Sequence, residues 1–215
     1  GAGFIGSNLS ELLKESHFEV VTTDLVGNVD LKTDIRNLER ENLNLNDFYS
    51  VVHLAAKISV PESFENPALY YEVNVNATEK LFEQCIKAEV PRIVFASSAA
   101  VYGEIEGGIM VVGYENPPMS PYAETKILGE KIASKLSKQS TRITCLRFFN
   151  VYGPGQDYSS PYASAVPIFI EKLYRKKPIT IFGNGDQTRD FIHVSDICKS
   201  ISNSFDFKIP DYSTY

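Results

Sequence analysis

Tyr122 and Lys126, in "SPYAETKILGEKIASKLSKQ", are the residues best placed by type and spacing to move a proton. Side chains four apart on a helix share a face. A phenol has a pKa near about 10, too high for a base at neutral pH. A neighbouring ammonium favours the phenolate and lowers that value. Such a tyrosine could exchange a proton with a substrate hydroxyl. Ser98, at the end of "PRIVFASS", could hydrogen-bond the same oxygen. A lone Tyr-x-x-x-Lys occurs by chance on many helix surfaces. Here it follows a Ser-Ser strand end in a chain that opens with a glycine turn, so Ser98, Tyr122 and Lys126 are the catalytic candidates.

The opening stretch "GAGFIGSNLSELLKES" carries a different chemistry. Gly1, Gly3 and Gly6 let a backbone approach a ligand closely. Leu9, Leu12 and Leu13 then mark one face of a helix, whose N-terminus offers N–H groups and a positive dipole end to a pyrophosphate. An acid about 20 residues on completes the dinucleotide fingerprint. Asp24, ending "FEVVTTD", is that acid. Its carboxylate can accept from a ribose hydroxyl and repels a 2′-phosphate, so NAD is expected rather than NADP. A cationic nicotinamide would further favour a tyrosinate. The fingerprint also calls for a strand before the first glycine; none precedes Gly1, so the chain reads as a fragment that begins inside the motif.

These residues need a scaffold, and the pattern supplies one. "EVVTTD", "VDLKTDI", "SVVHLAA", "PRIVFASSAAVYG" and "TRITCLRFFNVYG" read as strands. Between them, Tyr70 to Ala88 and the run from Pro121 read as helices, the second capped by Ser120 with Pro121 in its first turn. Alternating strands and helices argue for a parallel sheet covered on both faces. Ligands of such sheets lie beyond the carboxyl ends of the strands. Those ends here are "GAGFIG", Asp24, "HLAAK", "SSAAVYG" and "FFNVYG". From about Tyr152 the texture changes. "GPGQDYSSP" is a loop, "YASAVPIFIEKLYRK" a helix, "PITIFGNGDQTRDFIHV" a hairpin turning at Asn184-Gly185, and "SDICKSISNSF" a last helix with Ser195 as a possible cap. The organisation expected is a dinucleotide-binding domain over 1–152 that lacks its first strand. A partial substrate lobe over 153–215 would interleave with the main sheet.

Composition narrows the class. The 215 residues, 43% hydrophobic with a net charge of −6, suit an ordinary soluble domain and argue against a nucleic-acid partner. Arg175-Lys176-Lys177 reads as a solvated helix end. Cys85, Cys145 and Cys198 are too dispersed for a disulfide framework or a metal site, so no metal and a cytoplasmic setting are expected. No apolar run is long enough to span a membrane. His53 and His193 have no ligand-spaced neighbours and read as packing or hydrogen-bonding residues.

In order along the chain stand "GAGFIGS", Asp34-Ile35, "HLAA", "NVNAT", "SSAAVYGE", "SPYAETK", "RFFNVYGPGQ" and "IFGNGDQTRDFIHVSDI". Together they make the chain resemble the extended short-chain dehydrogenases/reductases, within them the NAD-dependent epimerase/dehydratase family, and most closely the UDP-glucose 4-epimerases. The resemblance implies a Rossmann-type doubly wound sheet with a smaller substrate lobe. It implies NAD near Gly1, Gly3, Phe4, Ile5 and Gly6 at the pyrophosphate and Asp24 at the adenosine ribose. Asp34 and Ile35 would flank the adenine. Leu54, Ala55, Ala56 and Asn74 would line the cleft. Tyr122 would stand beside the cofactor, Lys126 would also hold the nicotinamide ribose, and Phe149 would pack near the nicotinamide. Ser98 would touch the sugar. Asn150 would hold the substrate diphosphate and Arg189 would pair with it. Read alone, Arg189 is better explained as a surface ion pair, and Asn150 equally well as a loop cap.

The implied reaction is epimerisation of a nucleotide sugar, UDP-glucose/UDP-galactose or an N-acetylated analogue, at C4 through a keto form. The resemblance also implies a homodimer built on the helices Tyr70–Ala88 and Pro121–Lys138. Alternatives on the same scaffold are a 4,6-dehydratase, a decarboxylase, a reductase or a non-catalytic NAD-binding relative. Dehydratases of the family place Asp-Glu directly after this strand-end residue; here Ala99 and Ala100 follow Ser98, and Glu104 lies past the turn. Against the family, the first strand and the end of the substrate lobe are missing. Because that strand would belong mid-sheet, its loss is expected to leave two inner edges and a fragment prone to aggregate.

Overall fold

The computed structural model describes residues 1–215 apart from 42, 106–108, 114–115, 138–139, 160–163, 182 and 207. All its strand pairs are parallel. The chain runs α1 (Phe4–Glu15), β1 (Thr23–Asp24), β2 (Leu31–Lys32), β3 (Ser50–His53), α2 (Val60–Glu65), α3 (Pro67–Tyr71), α4 (Ala77–Lys87) and β4 (Arg92–Ser98). It continues through α5 (Pro121–Leu136), β5 (Arg142–Phe148), β6 (Asn150–Tyr152), α6 (Ala165–Tyr174), β7 (Phe191–His193), α7 (Val194–Asn203) and β8 (Tyr212–Thr214). The central sheet has the order β3-β4-β5-β8, while β1-β2 and β6-β7 form separate pairs.

β4 explains why both faces are covered. Side chains alternate along a strand, so Ile93 and Phe95 face one way and Val94 the other. The first face packs on Leu81, Phe82 and Cys85 of α4 and Ala133 of α5. The second packs on Leu9 and Leu13 of α1 and Val194, Ile197, Cys198 and Ile201 of α7. The result is a three-layer, doubly wound α/β architecture of Rossmann type, its central strands apolar on both sides as buried parallel strands must be. Cys85, Cys145 and Cys198 are free and buried.

Between α3 and α4 the chain stays helical but widens into a π turn over Glu72–Asn76. Such a turn holds one residue more than an α turn. It brings Asn74 to the interior, where the residue is buried.

The hairpin expectation is corrected. Among the described residues, 178–190 hold no strand, and β7 pairs parallel with β6 (Asn150↔Phe191, Tyr152↔His193). Asn184-Gly185 does form a turn, with Gly185 at φ +83° and the Asn184 amide donating to Asp186 at 2.6 Å. The end of the second expected strand forms β7, which pairs with β6 rather than back across the turn. Position 182 of the expected first strand lies outside the described residues, as do 162–163 of the expected helix. The expected cap of α7 is corrected too. His193, not Ser195, caps that helix, its Nδ1 accepting from the Ser195 N–H at 3.2 Å.

Candidate functional site

α1 begins immediately after the glycine turn, with Gly3 at its N-cap and no side chain capping it. Gly6 packs so closely that a Cβ there would lie 2.7 Å from the Gly1 carbonyl oxygen, whereas a Cβ on Gly3 would meet nothing within 4 Å. One glycine is thus needed for close packing, and another opens a space in front of the helix N-terminus. An uncapped helix end behind open space is a cradle for an anion, and it fits a pyrophosphate. Phe4 and Ile5 form the first turn and rest partly on the core.

Asp24 ends β1 beside that cradle. Its Oδ2 accepts from the Ala2 N–H at 2.9 Å and the Gly1 nitrogen at 3.2 Å, and Oδ1 from the Leu25 N–H at 2.7 Å. Burial raises its pKa, and the backbone hydrogen bonds from Ala2 and Leu25 act against this and favour the carboxylate. Oδ1 also accepts from the Val26 N–H at a long 3.4 Å, and a ribose hydroxyl would take the place of that weak contact among the about four lone-pair positions of the carboxylate. The Thr33 N–H donates to the Asp24 carbonyl at 3.0 Å, so Asp34 follows just beyond the end of β2. Asp34 is occupied: it caps the next 3₁₀ turn and holds Arg36 through Nε and Nη2 (2.7–3.1 Å). Ile35 packs on the core under α4.

β3 delivers the next loop. Leu54 is partly buried, Ala55 exposed and Ala56 intermediate. The Asn74 amide clasps that loop. Its Oδ1 accepts from the Lys57 N–H at 2.8 Å, and its Nδ2 donates to the Lys57 carbonyl at 2.9 Å and to Thr125 Oγ1 at 3.1 Å. Thr125 in turn donates to the Tyr122 carbonyl at 2.7 Å. Asn74 therefore joins the loop to the first turn of α5.

That turn is set by Ser120, whose hydroxyl accepts from the Ala123 N–H at 3.1 Å, with Pro121 at the first helical position. Tyr122 and Lys126 are buried on one face of α5, at 9% and 4% exposure. Burial pushes the Tyr122 phenol above its ordinary value, and a hydrogen-bonding interaction with Ser98 pulls it back. Burial and Ser98 are what act on the phenol here, while Lys126 is engaged elsewhere. Its ammonium donates to the Ala96 carbonyl at 2.8 Å and lies 4.9 Å from the centre of the Phe95 ring. Burial lowers the Lys126 pKa to about 8. Ser98 ends β4, and its hydroxyl accepts from the Ala100 N–H at 3.2 Å. The structure thus brings Ser98, Tyr122 and Lys126 together at the carboxyl ends of the central strands. Phe149, just after β5, stands 6.2 Å from the Tyr102 ring.

Asn150 and Arg189 lie on the outer pair of strands. The Asn150 amide donates to the Asp190 carbonyl at 2.8 Å, and its backbone N–H to the same oxygen at 3.2 Å. Arg189 is the next residue back. It is exposed, donates to the Thr188 carbonyl at 2.7 Å and makes no ion pair among the described residues. An open cleft of ≈ 430 Å³ adjoins this region between β6 and α6, lined by Tyr152, Tyr158, Pro167, Ile170 and Tyr174. Tyr122 is not among its lining residues, so the proton-handling residues and this cleft are different places.

Sequence reasoning missed three buried polar residues around this centre: Glu130, Arg147 and Ser97. It left His53 as a packing or hydrogen-bonding residue. His53 Nε2 meets Thr78 Oγ1 at 2.8 Å and its ring stacks on Phe95 at 5.5 Å.

The pattern of the family described as "NAD dependent epimerase/dehydratase family" matches residues 1–205. A protein of Methanocaldococcus jannaschii described as a putative UDP-glucose 4-epimerase is 36% identical over 215 residues, 93% of this chain and 70% of that one. The solved UDP-N-acetylglucosamine 4-epimerase of Methanobrevibacter ruminantium, in complex with UDP-N-acetylmuramic acid, superposes with a TM-score of 0.87 at 31% identity, over 99% of this chain and 72% of that one. UDP-glucose 4-epimerase of Thermus thermophilus, in complex with NAD, does so with a TM-score of 0.81 at 30% identity, over 100% and 74%.

Proposed function

The chain belongs to the NAD dependent epimerase/dehydratase family, and on that premise we propose that it interconverts a UDP-hexose and its C4 epimer. It is an NAD-dependent enzyme. NAD, when bound, supplies reversible oxidation at C4, so that the sugar passes through a 4-keto form and the cofactor is unchanged overall. Gly1, Gly3 and Gly6 hold its pyrophosphate with the first turn of α1, and Asp24 its adenosine ribose. Asp34 and Ile35 stand by the adenine, and Leu54, Ala55, Ala56 and Phe149 line the cleft. Asn74 acts on the cofactor side through the Lys57 loop that it clasps.

Tyr122 takes the proton of the C4 hydroxyl and returns it, and Ser98 hydrogen-bonds the same oxygen. With NAD seated, the Lys126 ammonium together with the nicotinamide charge would favour the phenolate, which Lys126 alone does not do in this geometry. Asn150 and Arg189 hold the diphosphate; a guanidinium fork suits phosphate oxygens. Residues 1–152 are assigned to the cofactor and 153–215 to the sugar nucleotide. A homodimer through α4 and α5 and a cytoplasmic setting belong to the same reading, and sedimentation velocity tests the first of them.

The observation that carries C4 epimerisation over dehydration is the 3₁₀ turn after Ser98. Eliminating water across C5–C6 needs an acid and a base beyond the Tyr-Lys pair. That turn, Ala99–Tyr102, offers methyl groups where such groups would stand, and Glu104 beyond it is exposed. Incubation with UDP-glucose and with UDP-N-acetylglucosamine, read by mass spectrometry and NMR, tests the proposal. An isobaric 4-epimer is expected. Loss of one water with a 6-deoxy-4-keto signal would overturn it.

A further inference from the structure

Tyr122, Lys126 and Glu130 stand one turn apart on the buried face of α5. The chemistry proposed above uses the first two. The third is a carboxylate with 7% exposure. It accepts from Ser97 Oγ at 2.5 Å, from Arg147 Nε at 2.9 Å and from Arg147 Nη2 at 2.7 Å. Arg147 also lies 4.7 Å over the Tyr102 ring. Burying such a pair is costly, and apolar residues of similar volume commonly do as well or better for stability. The pair is therefore poorly explained as a stabiliser. Its partners are telling: Ser97 directly precedes Ser98, and Arg147 directly precedes Phe148-Phe149.

We propose that Glu130 is a positioning residue, which supplies the counter-charge that keeps Lys126 protonated and fixes α5 in register with Ser98. The proposal rests on the assignment of Tyr122 and Lys126 as the proton-handling pair. The groups facing the Lys126 ammonium come from several elements. β3 brings His53, whose pKa burial and the ammonium push down to about 3, so it is neutral. β5 brings the Cys145 thiol, which burial holds well above its ordinary value, and Arg147, already paired with Glu130. β8 brings Tyr212 near Cys145, raised to about 12 by burial. α5 itself brings Tyr122, raised by burial. Among these described neighbours Glu130 carries the one carboxylate, and it is held in an ion pair with Arg147. Burial works to discharge Lys126, and Cys145 and then Glu130 work against it; the Cys145 thiol does so only where it is ionised, which its burial opposes.

An ε-¹³C lysine NMR titration reads Lys126 without any substrate, with its resonance assigned by its loss in Lys126→Met. Glu130→Gln keeps the shape and removes the charge, leaving Arg147 uncompensated. The Lys126 pKa should fall by about one unit, a tenfold weaker proton affinity. The double variant Glu130→Gln/Arg147→Met removes both charges at similar volume and should give a smaller fall, between wild type and the single variant. The alkaline limb of turnover should move in the same order. Reduced turnover with an unmoved Lys126 pKa would overturn the proposal and leave Glu130 a brace. Where circular dichroism shows the single variant unfolded, an unmoved pKa in the double variant overturns it equally. Shifted titrations with no epimerase turnover in any variant, wild type included, would support the role of Glu130 and count against the function proposed above.

Discussion

The centre around α5 and the outer strands β6 and β7 solve opposite problems. In the first, nearly every polar group is buried and spoken for: Lys126 by Ala96, Glu130 by Ser97 and Arg147, Asn74 by Lys57 and Thr125. In the second, Arg189 is exposed on a stretch without strands, and α6 buries none of its residues. Groups that must hold a proton to within a fraction of an ångström need a rigid surround. Groups that grip a charged ligand can be fixed by the ligand itself. The two halves should therefore respond differently to substitution.

The largest effect is expected at the rigid centre. Tyr122→Phe removes the proton-transferring hydroxyl and keeps the packing, so turnover should fall by at least roughly 10²-fold while NAD titrations stay unchanged. Near-normal turnover would break the comparison at its root. Next comes Asp24→Ala, which should weaken NAD by on the order of tenfold, the scale of one charged hydrogen bond, and relax discrimination against NADP. Unchanged NAD affinity in a fluorescence titration would remove Asp24 from the cofactor site. Arg189→Ala should raise KM by roughly three- to tenfold, within the range of an exposed charged contact, and leave kcat and the melting temperature nearly untouched. A kcat loss as large as that of Tyr122→Phe would show that the outer region is not merely a grip.

The smallest effect is on stability. His53 is fully enclosed, and burial with the Lys126 charge depresses its pKa from 6.5 to about 3. The unfolded chain binds that proton below about pH 6.5 and the folded one does not, so stability falls as pH drops through this window. The slope is about 1.4 kcal/mol per pH unit for such a group. Chemical denaturation at pH 7 and pH 5.5 should show a loss of about 1 kcal/mol from this source. His53→Gln should flatten that dependence. An equally steep loss in the variant would assign it to other groups.

The legible and illegible parts divide along the same line. β4 could be read directly, because "RIVFASS" is apolar on both faces as a central parallel strand should be, and Ser120-Pro121 announces the start of α5. The i, i+4 spacing of Tyr122 and Lys126 is enough by itself to put both on one face of a helix. Glu130 could not be read this way. A carboxylate in the middle of a charged helix resembles a solvated residue, and its partners Ser97 and Arg147 lie on two strands that only the tertiary fold brings to it. The sign that could have found it is the same spacing continued one step further. The hairpin failed for the converse reason. Asn184-Gly185 carries real turn chemistry, but Phe191–His193, which should close the hairpin, pairs with β6 instead. The cap of α7 was missed because an imidazole nitrogen can accept as a hydroxyl does.

The π turn at Glu72–Asn76 has a mechanical corollary. One surplus residue advances everything after it by about 100° around the helix axis. On one side of the turn Tyr70 donates to the Ser59 carbonyl; on the other Thr78 meets His53 and Leu81 meets the sheet. The surplus residue works as a phase shifter between these two faces. Deleting Val75 should let the segment relax to an ordinary α turn, and the two faces could then no longer be satisfied at once. Either the Asn74 clasp on the Lys57 loop or the α4 face of the core would have to give way. A single-residue deletion within an unbroken helix would thus reach the active centre without changing any residue that touches it.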